Sequence, residues 1–223
     1  MPTAIYSIEA ITNLHVGSGD VNYDIVDKEI QRDAATELPT IHASSLKGAL
    51  REFLTDKAWM DVDTAFGCAE DTNANKKQQS GAFSFLAADI VALPAATTSS
   101  PFYTRVHCDS LLADLQLRKY SHLQFSMPAG NSFEGSIADS AKFRDVAADL
   151  PVIARNQLDN GISQNLWYER IVPHKAVFLT GIIYETSDTE MFTAFNNLIT
   201  SELVQVGANA TVGYGLCRFK KIN

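Results

Sequence analysis

The chain has 223 residues, 46% of them hydrophobic and 20% charged, enough to bury a substantial core within one domain. Its 18 Lys and Arg against 26 Asp and Glu give a net charge of −8, and the pI is near 5.0. That balance counts against a free-standing nucleic-acid binder, whose long-range field should be positive, but not against a subunit presenting one basic strip in a larger assembly.

No run of about 18 apolar residues could span a membrane. The start, Met1-Pro-Thr-Ala-Ile-Tyr6, lacks the basic and apolar regions of a signal peptide. Cys68, Cys108 and Cys217 form neither a disulfide framework nor a Cys-x-x-Cys metal clip. The expectation is a cytoplasmic protein with reduced, largely buried thiols and no membrane partner.

In chain order, Ala4 to Leu14 reads as a strand with imperfect alternation. His15 to Thr40 is a long polar stretch, and connections of that length are functional or disordered. Ser44 or Ser45 suits the N-cap of a helix carrying Leu46, Ala49, Leu50, Phe53, Leu54 and Ala58 at helical spacing. Glu70 to Ser80 is a polar loop, Ala82 to Leu93 a strand ended by Pro94, and Pro94 to Pro101 a loop. Asp109 to Tyr120 has helical spacing, and Pro128 to Asp145 is poorly periodic.

Pro151 to Leu158 and Ile162 to Val172 form two arms of a hairpin, because Asp159-Asn160-Gly161 tolerates positive φ. Val177 to Tyr184 is a β-branched and aromatic strand. Ser187-Asp-Thr-Glu190 matches a capping box ahead of a helix with Met191, Phe192, Phe195, Leu198, Ile199 and Leu203. The Gly-rich segment 207–215 and a last strand, Leu216 to Ile222, follow. The series is β-α-β, an insertion, then β-α-β: an α+β, ferredoxin-like (RRM-like) βαββαβ core in a single domain, 1–223. The insertion runs from about 94 to 175 and carries the hairpin at about 152–171.

Several residues suit chemistry on a phosphodiester backbone. Lys47 and Arg51 lie four apart on one helix face, which suits phosphate contact or a solvated face paired with Glu52 and Asp56. The helix start at Ser44 and Ser45 can accept phosphate oxygens. Asp27, among Asp20, Asp24, Glu29 and Asp33, can bind a divalent ion, position a nucleophile, or simply be part of a hydrophilic loop. His15, before Gly17-Ser-Gly19, suits acid–base work on a 2′-hydroxyl, an RNA contact, or a polar strand end. Gly207, Gly213 and Gly215 let backbone approach a phosphate or ribose, or make a turn with Gly207 as helix C-cap. Trp167 and Tyr168 suit base stacking or a core.

Five segments in order carry a resemblance: Leu14-His-Val-Gly-Ser-Gly19, Val26-Asp-Lys-Glu-Ile-Gln-Arg32, Pro39 to Glu52, Leu166-Trp-Tyr-Glu-Arg-Ile-Val-Pro173 and Val204 to Gly215. Together they resemble the RAMP backbone subunit of type III-B CRISPR effectors, the fourth subunit of the Cmr complex. The resemblance implies an RNA-guided endoribonuclease active only in the assembled complex. Its partners would be guide CRISPR RNA, complementary target RNA, further copies of itself in a helical filament and other Cmr-type subunits.

By the same resemblance, Asp27 matches the aspartate that cuts the target with a divalent metal, Mg²⁺ or Mn²⁺. His15, Ser44, Ser45, Lys47, Arg51, Gly207, Asn209, Gly213 and Gly215 match guide-binding regions. The segment from Ile153 to Tyr168 matches a thumb that displaces a base pair, with Asp159, Asn160 and Gly161 at its tip and Trp167, Tyr168 and Glu169 on its return arm. The chain departs from the family in a reduced middle region, in Glu169-Arg170 where a pair of acids is expected, and in Ala43 where glycine is common. Two other readings share these residues. One is a non-catalytic RNA-binding subunit of the same kind of complex. The other is a stand-alone, metal-independent nuclease that processes precursor guide RNA through His15.

Overall fold

A computed structural model describes residues 1–19, 26–70, 77–96, 103–120 and 139–223. The elements begin with β1 (Thr3–Ala10), β2 (Thr40–Ile41), α1 (Ala43–Asp56), α2 (Val62–Phe66), β3 (Gly67–Cys68), β4 (Gln79–Ser80), β5 (Ser84–Phe85) and β6 (Ala88–Ala96). They continue with β7 (Tyr103–His107), α3 (Asp109–Arg118), α4 (Ser140–Ala148), β8 (Val152–Asp159), β9 (Ile162–Arg170), β10 (Val177–Ile183), α5 (Thr189–Ser201), β11 (Val204–Gln205) and β12 (Leu216–Lys221). The main sheet runs β11-β12-β1-β10-β6-β2, with β5 on β10 and β7 on β6. Its central strands, β12-β1-β10-β6, are antiparallel neighbours in ferredoxin-like order.

Both faces of this sheet are covered. Tyr6 and Ile8 of β1 share a buried cluster with Leu46, Leu50 and Leu54 of α1 and with Phe192, Phe195 and Ile199 of α5. Ile5, on the opposite face, packs in a second cluster with Val91, Val177, Leu179, Leu115 of α3 and Tyr120. Double coverage explains why the first strand alternates imperfectly: no side of it faces water.

Local readings change in five places. Pro94 does not end its strand: β6 runs on to Ala96, and beyond Ala92 it pairs with β7, where Pro94 sits opposite Arg105. A proline tolerates such one-sided pairing because no ladder bond is needed from its nitrogen. Residues 140–148 of the aperiodic stretch form α4, capped by the Asp139 side chain accepting from the Lys142 amide at 2.8 Å; residues 128–138 lie outside the described residues. Helix α1 begins one residue before Ser44, with His42 at the N-cap and no side-chain cap bond. The expected capping box at 187–190 is absent, because a 3₁₀ turn over Thr186–Asp188 precedes α5 and Asp188, its N-cap, makes no side-chain cap bond. Gly207 caps no helix, since α5 ends at Ser201 and β11 intervenes.

The hairpin of β8 and β9 is a separate two-stranded sheet. Asn160 and Gly161 turn it with φ of 49° and 83°, the two positive values a tight two-residue turn requires. Cys108 and Cys217 are buried free thiols, and burial pushes the Cys217 thiol up to about 12. Among the described residues, no helix is long and apolar enough to cross a membrane.

Candidate functional site

The long stretch after β1 is tied to the rest of the chain by isolated bridges from Leu14 to Val172 and Lys28 to Glu169, and folded on itself by bridges from Gly17 to Ile30 and Arg32 to Pro39. Buried Val16, Val26, Ile30 and Leu38 anchor it, so a stretch read as polar carries its own apolar pins. At its middle, residues 27–29 lie alongside the base of β9. The Lys28 amide donates to the Tyr168 carbonyl at 3.0 Å, and the Arg170 amide donates to the Lys28 carbonyl at 3.0 Å. The Tyr168 amide donates to Oδ2 of Asp27 at 2.8 Å. Asp27 is exposed, and this is its one hydrogen bond among the described residues. Its other carboxylate oxygen has no hydrogen-bond partner among the described residues.

Of the acids around Asp27, Glu29 is spent on Arg170, whose Nε lies 3.0 Å from both carboxylate oxygens. Asp33 closes a turn by accepting from Ala35 and Thr36. Burial works to raise the Asp33 pKa, and the Thr36 and Ala35 bonds outweigh it and hold it below the usual carboxylate range. Asp20 and Asp24 lie outside the described residues.

Glu169 is the best-connected acid. It is 1% exposed and accepts from Lys28 Nζ at 3.2 Å, Trp167 Nε1 at 2.7 Å, Arg155 Nε at 2.6 Å and Asn209 Nδ2 at 2.8 Å. Burial alone would raise its pKa, but the bonds from Trp167, Lys28 and Arg155 win and hold it down to about 2. The Lys28 ammonium also sits over the Trp167 ring at 4.9 Å, and the Arg155 guanidinium over Tyr214 at 4.6 Å. Trp167 is thus turned inward to this network, while Tyr168 remains 38% exposed. Lys28 and Arg155 were not singled out by sequence reading; one alternating strand pattern and a lone loop cation carry no long-range signal.

The Gly-rich segment closes on the same region. Asn209, at φ 67°, reaches Glu169, and the Ala208 amide donates to the His15 carbonyl at 2.9 Å. At Gly207 an added Cβ would lie 2.4 Å from the His15 carbonyl oxygen, and at Gly215 2.2 Å from that of Val206. Gly213 has open space around it. Two of the three glycines are therefore demanded by close backbone approach.

His15 itself is 3% exposed, with its Nδ1 2.8 Å from the Arg170 carbonyl oxygen. It ties β9 to the body, so within the chain its ring serves a structural bond. At the start of α1, Ser44 is exposed, while the Ser45 hydroxyl accepts from Gln31 Nε2 at 2.8 Å. Gln31 also donates to the Gly17 carbonyl at 3.2 Å and accepts from the His42 amide at 2.7 Å, so one buried amide fixes the helix start. Arg51 is committed to Asp63 at 2.8 Å and the Gly67 carbonyl at 2.5 Å, a different acid from the expected Glu52 or Asp56. Lys47 lies 6.0 Å from the Phe85 ring centroid. Asp27, Glu169, Trp167, Tyr168 and Asn209 come together; Ser44, Lys47 and Arg51 belong to the separate α1 face.

Among the described residues no group of three or more His, Cys, Asp or Glu is placed to hold a metal ion. One exposed carboxylate such as Asp27 could hold an ion such as Mg²⁺, which commonly takes one or two carboxylates and draws its remaining ligands from water and substrate phosphate.

A family model, the RAMP superfamily, matches residues 7–218. The CRISPR system CMR subunit Cmr4 of Saccharolobus solfataricus is 51% identical over 49 residues, 22% of this chain and 16% of that protein. The CRISPR system Cmr endoribonuclease Cmr4 of Pyrococcus furiosus is 22% identical across 98% of this chain and 95% of its own length. Among solved structures, a chain of the type III-B Cmr-beta complex bound to cognate target RNA superposes with a TM-score of 0.78 at 22% identity, covering 99% of this chain and 97% of that one. That likeness shows the ferredoxin-like fold, and the family match from residue 7 to residue 218 shows that the chain belongs to the RAMP superfamily.

Proposed function

We propose that this chain is the backbone subunit of a type III-B effector, holding guide RNA and cutting the paired target RNA at Asp27. The observation that carries the reading is the union of Asp27 with the hairpin base: its carboxylate is held by the Tyr168 amide through one oxygen, while the exposed residue keeps the other unbonded among the described residues. A hairpin that displaces a base pair would thereby bring the loosened step to a carboxylate at a set distance. Copies stacked along the guide would repeat that distance, giving cuts at regular intervals.

Cleavage would be in-line attack of the ribose 2′-oxygen on the adjacent phosphorus, with the P–O5′ bond breaking. The products are a 2′,3′-cyclic phosphate and a 5′-hydroxyl. The chain contributes positioning and charge complementarity, the terms that dominate when no covalent intermediate forms. The second oxygen of Asp27 would hold a divalent ion or orient the 2′-hydroxyl, and such an ion would supply stabilisation of the charge developing on the phosphate; the 2′-hydroxyl proton passes to water and the leaving 5′-oxygen takes one from water. The start of α1, which has no side-chain cap, would supply neutral donors to phosphates, which suits a chain of net charge −8.

The stand-alone acid–base reading leans on His15, whose ring is buried against Arg170. The test is Asp27→Ala in the assembled complex. Target cleavage should vanish while guide and target binding persist; unchanged cleavage would overturn the assignment.

A further inference from the structure

The acid next to the aromatic of the hairpin, Glu169, stands close to the Asp27 segment and invites reading as a second metal ligand. Its surroundings say otherwise. An ionised carboxylate offers about four lone-pair sites, and Glu169 fills them with Lys28, Trp167, Arg155 and Asn209. Two of those donors are cations, which would repel a divalent ion, and the residue is 1% exposed.

The four donors come from different places in the chain. Lys28 follows Asp27, Arg155 and Trp167 stand on the two arms of the hairpin, and Asn209 belongs to the Gly-rich loop. The backbone repeats the link, through Lys28 to Tyr168, Arg170 to Lys28 and Tyr168 to Asp27. Glu169 thus sits where three segments distant in sequence meet, and its carboxylate is a side-chain anchor common to all three.

Resting on the cleavage role proposed for Asp27, we propose that Glu169 is a positioning residue: its buried carboxylate clamps the Asp27 segment, the hairpin and the Gly-rich loop into one rigid unit and ligates no metal. The hairpin alone is a two-stranded sheet, and such sheets are marginal in water. Its direction relative to Asp27 is set by the clamp together with the backbone bonds between Lys28, Tyr168 and Arg170. A displacement of about 1 Å at a reacting group costs on the order of 100-fold in rate.

The test uses the assembled complex with Glu169→Gln, which keeps the shape and removes the charge, and with Trp167→Phe, which removes one donor and keeps an aromatic ring. Single-turnover cleavage, target affinity, the Mg²⁺ concentration for half-maximal cleavage and amide exchange at Tyr168 and Arg170 are measured. Glu169→Gln should slow cleavage about 100-fold and leave target affinity within about twofold. The Mg²⁺ requirement should not move, and exchange at the two amides should quicken at least about tenfold. Trp167→Phe should show the same pattern more weakly, and decides the matter if Glu169→Gln does not assemble.

Unchanged cleavage and exchange would overturn the proposal. So would unchanged exchange with a Mg²⁺ requirement raised about tenfold, the signature of a lost ligand. Asp27→Asn runs alongside. If that variant cuts normally, the cleavage reading fails by itself, and the exchange rates still decide whether the clamp exists.

Discussion

The Tyr168 amide donates to Oδ2 of Asp27 at 2.8 Å, across 141 residues of sequence. A strand amide at an open edge needs an acceptor, and a side chain from the loop supplies it. The bond also decides which oxygen of Asp27 stays available, so a structural need of the hairpin base orients the carboxylate.

Asparagine at position 27 separates these two duties. Its carbonyl oxygen can accept from Tyr168 while the negative charge is gone. Asp27→Asn should leave thermal stability within about 0.5 kcal/mol of the parent and lower target cleavage by at least about 100-fold. A melting curve and a cleavage gel on the same assembled complex check both halves.

The three glycines of the C-terminal loop should differ. Gly213→Ala adds a methyl into open space at φ 81° and should cost about 1–2 kcal/mol, the ordinary penalty of a left-handed alanine. Gly207→Ala and Gly215→Ala would push a Cβ to 2.4 Å and 2.2 Å from backbone oxygens, which have no side-chain freedom to give way. Both should cost more than about 3 kcal/mol or prevent folding. Denaturant midpoints of the three variants rank them directly.

The pH dependence of the clamp follows from a depressed pKa. The bonds from Trp167, Lys28 and Arg155 hold the Glu169 carboxyl down to about 2, well below the usual glutamate value near 4.5. Its contribution is therefore full above about 4.5 and lost as pH falls through about 2. The stability gap between the parent and Glu169→Gln should stay constant from about pH 5 to pH 8 and narrow in acid, read from urea midpoints across pH.

The sequence already shows the order of strands and helices because Tyr6, Leu46 and Phe195 lie on periodic apolar faces, and periodicity survives without a partner in view. It also shows the turn at Asn160-Gly161, since positive φ is a local demand. It does not show that Glu169 is buried: an acid in an alternating polar arm reads as solvated until Lys28, Arg155 and Asn209 arrive from distant segments. The partner of His15 is hidden for the same reason, being a carbonyl 155 residues away. Helix α4 escapes because it is 9 residues long and follows an aperiodic stretch.

The outer face of the hairpin yields the last expectation. Ser163 opposes Leu158, Asn156 opposes Leu166, and the Ser163 hydroxyl bonds Asn156 at 2.8 Å, so these side chains share one face. Trp167, Arg155 and Glu169 occupy the other. Leu158 and Leu166 are 61% and 54% exposed, which a solitary hairpin does not need for its own stability. Apolar side chains at such positions can wedge between stacked bases and hold a displaced pair open. The double variant Leu158→Ser, Leu166→Ser should therefore fold with stability changed by less than about 1 kcal/mol and retain guide RNA. If these leucines open the duplex, target cleavage should fall by about tenfold with Asp27 and its bond to Tyr168 intact. Cleavage at the parent rate would show that the turn and backbone of the hairpin alone distort the target.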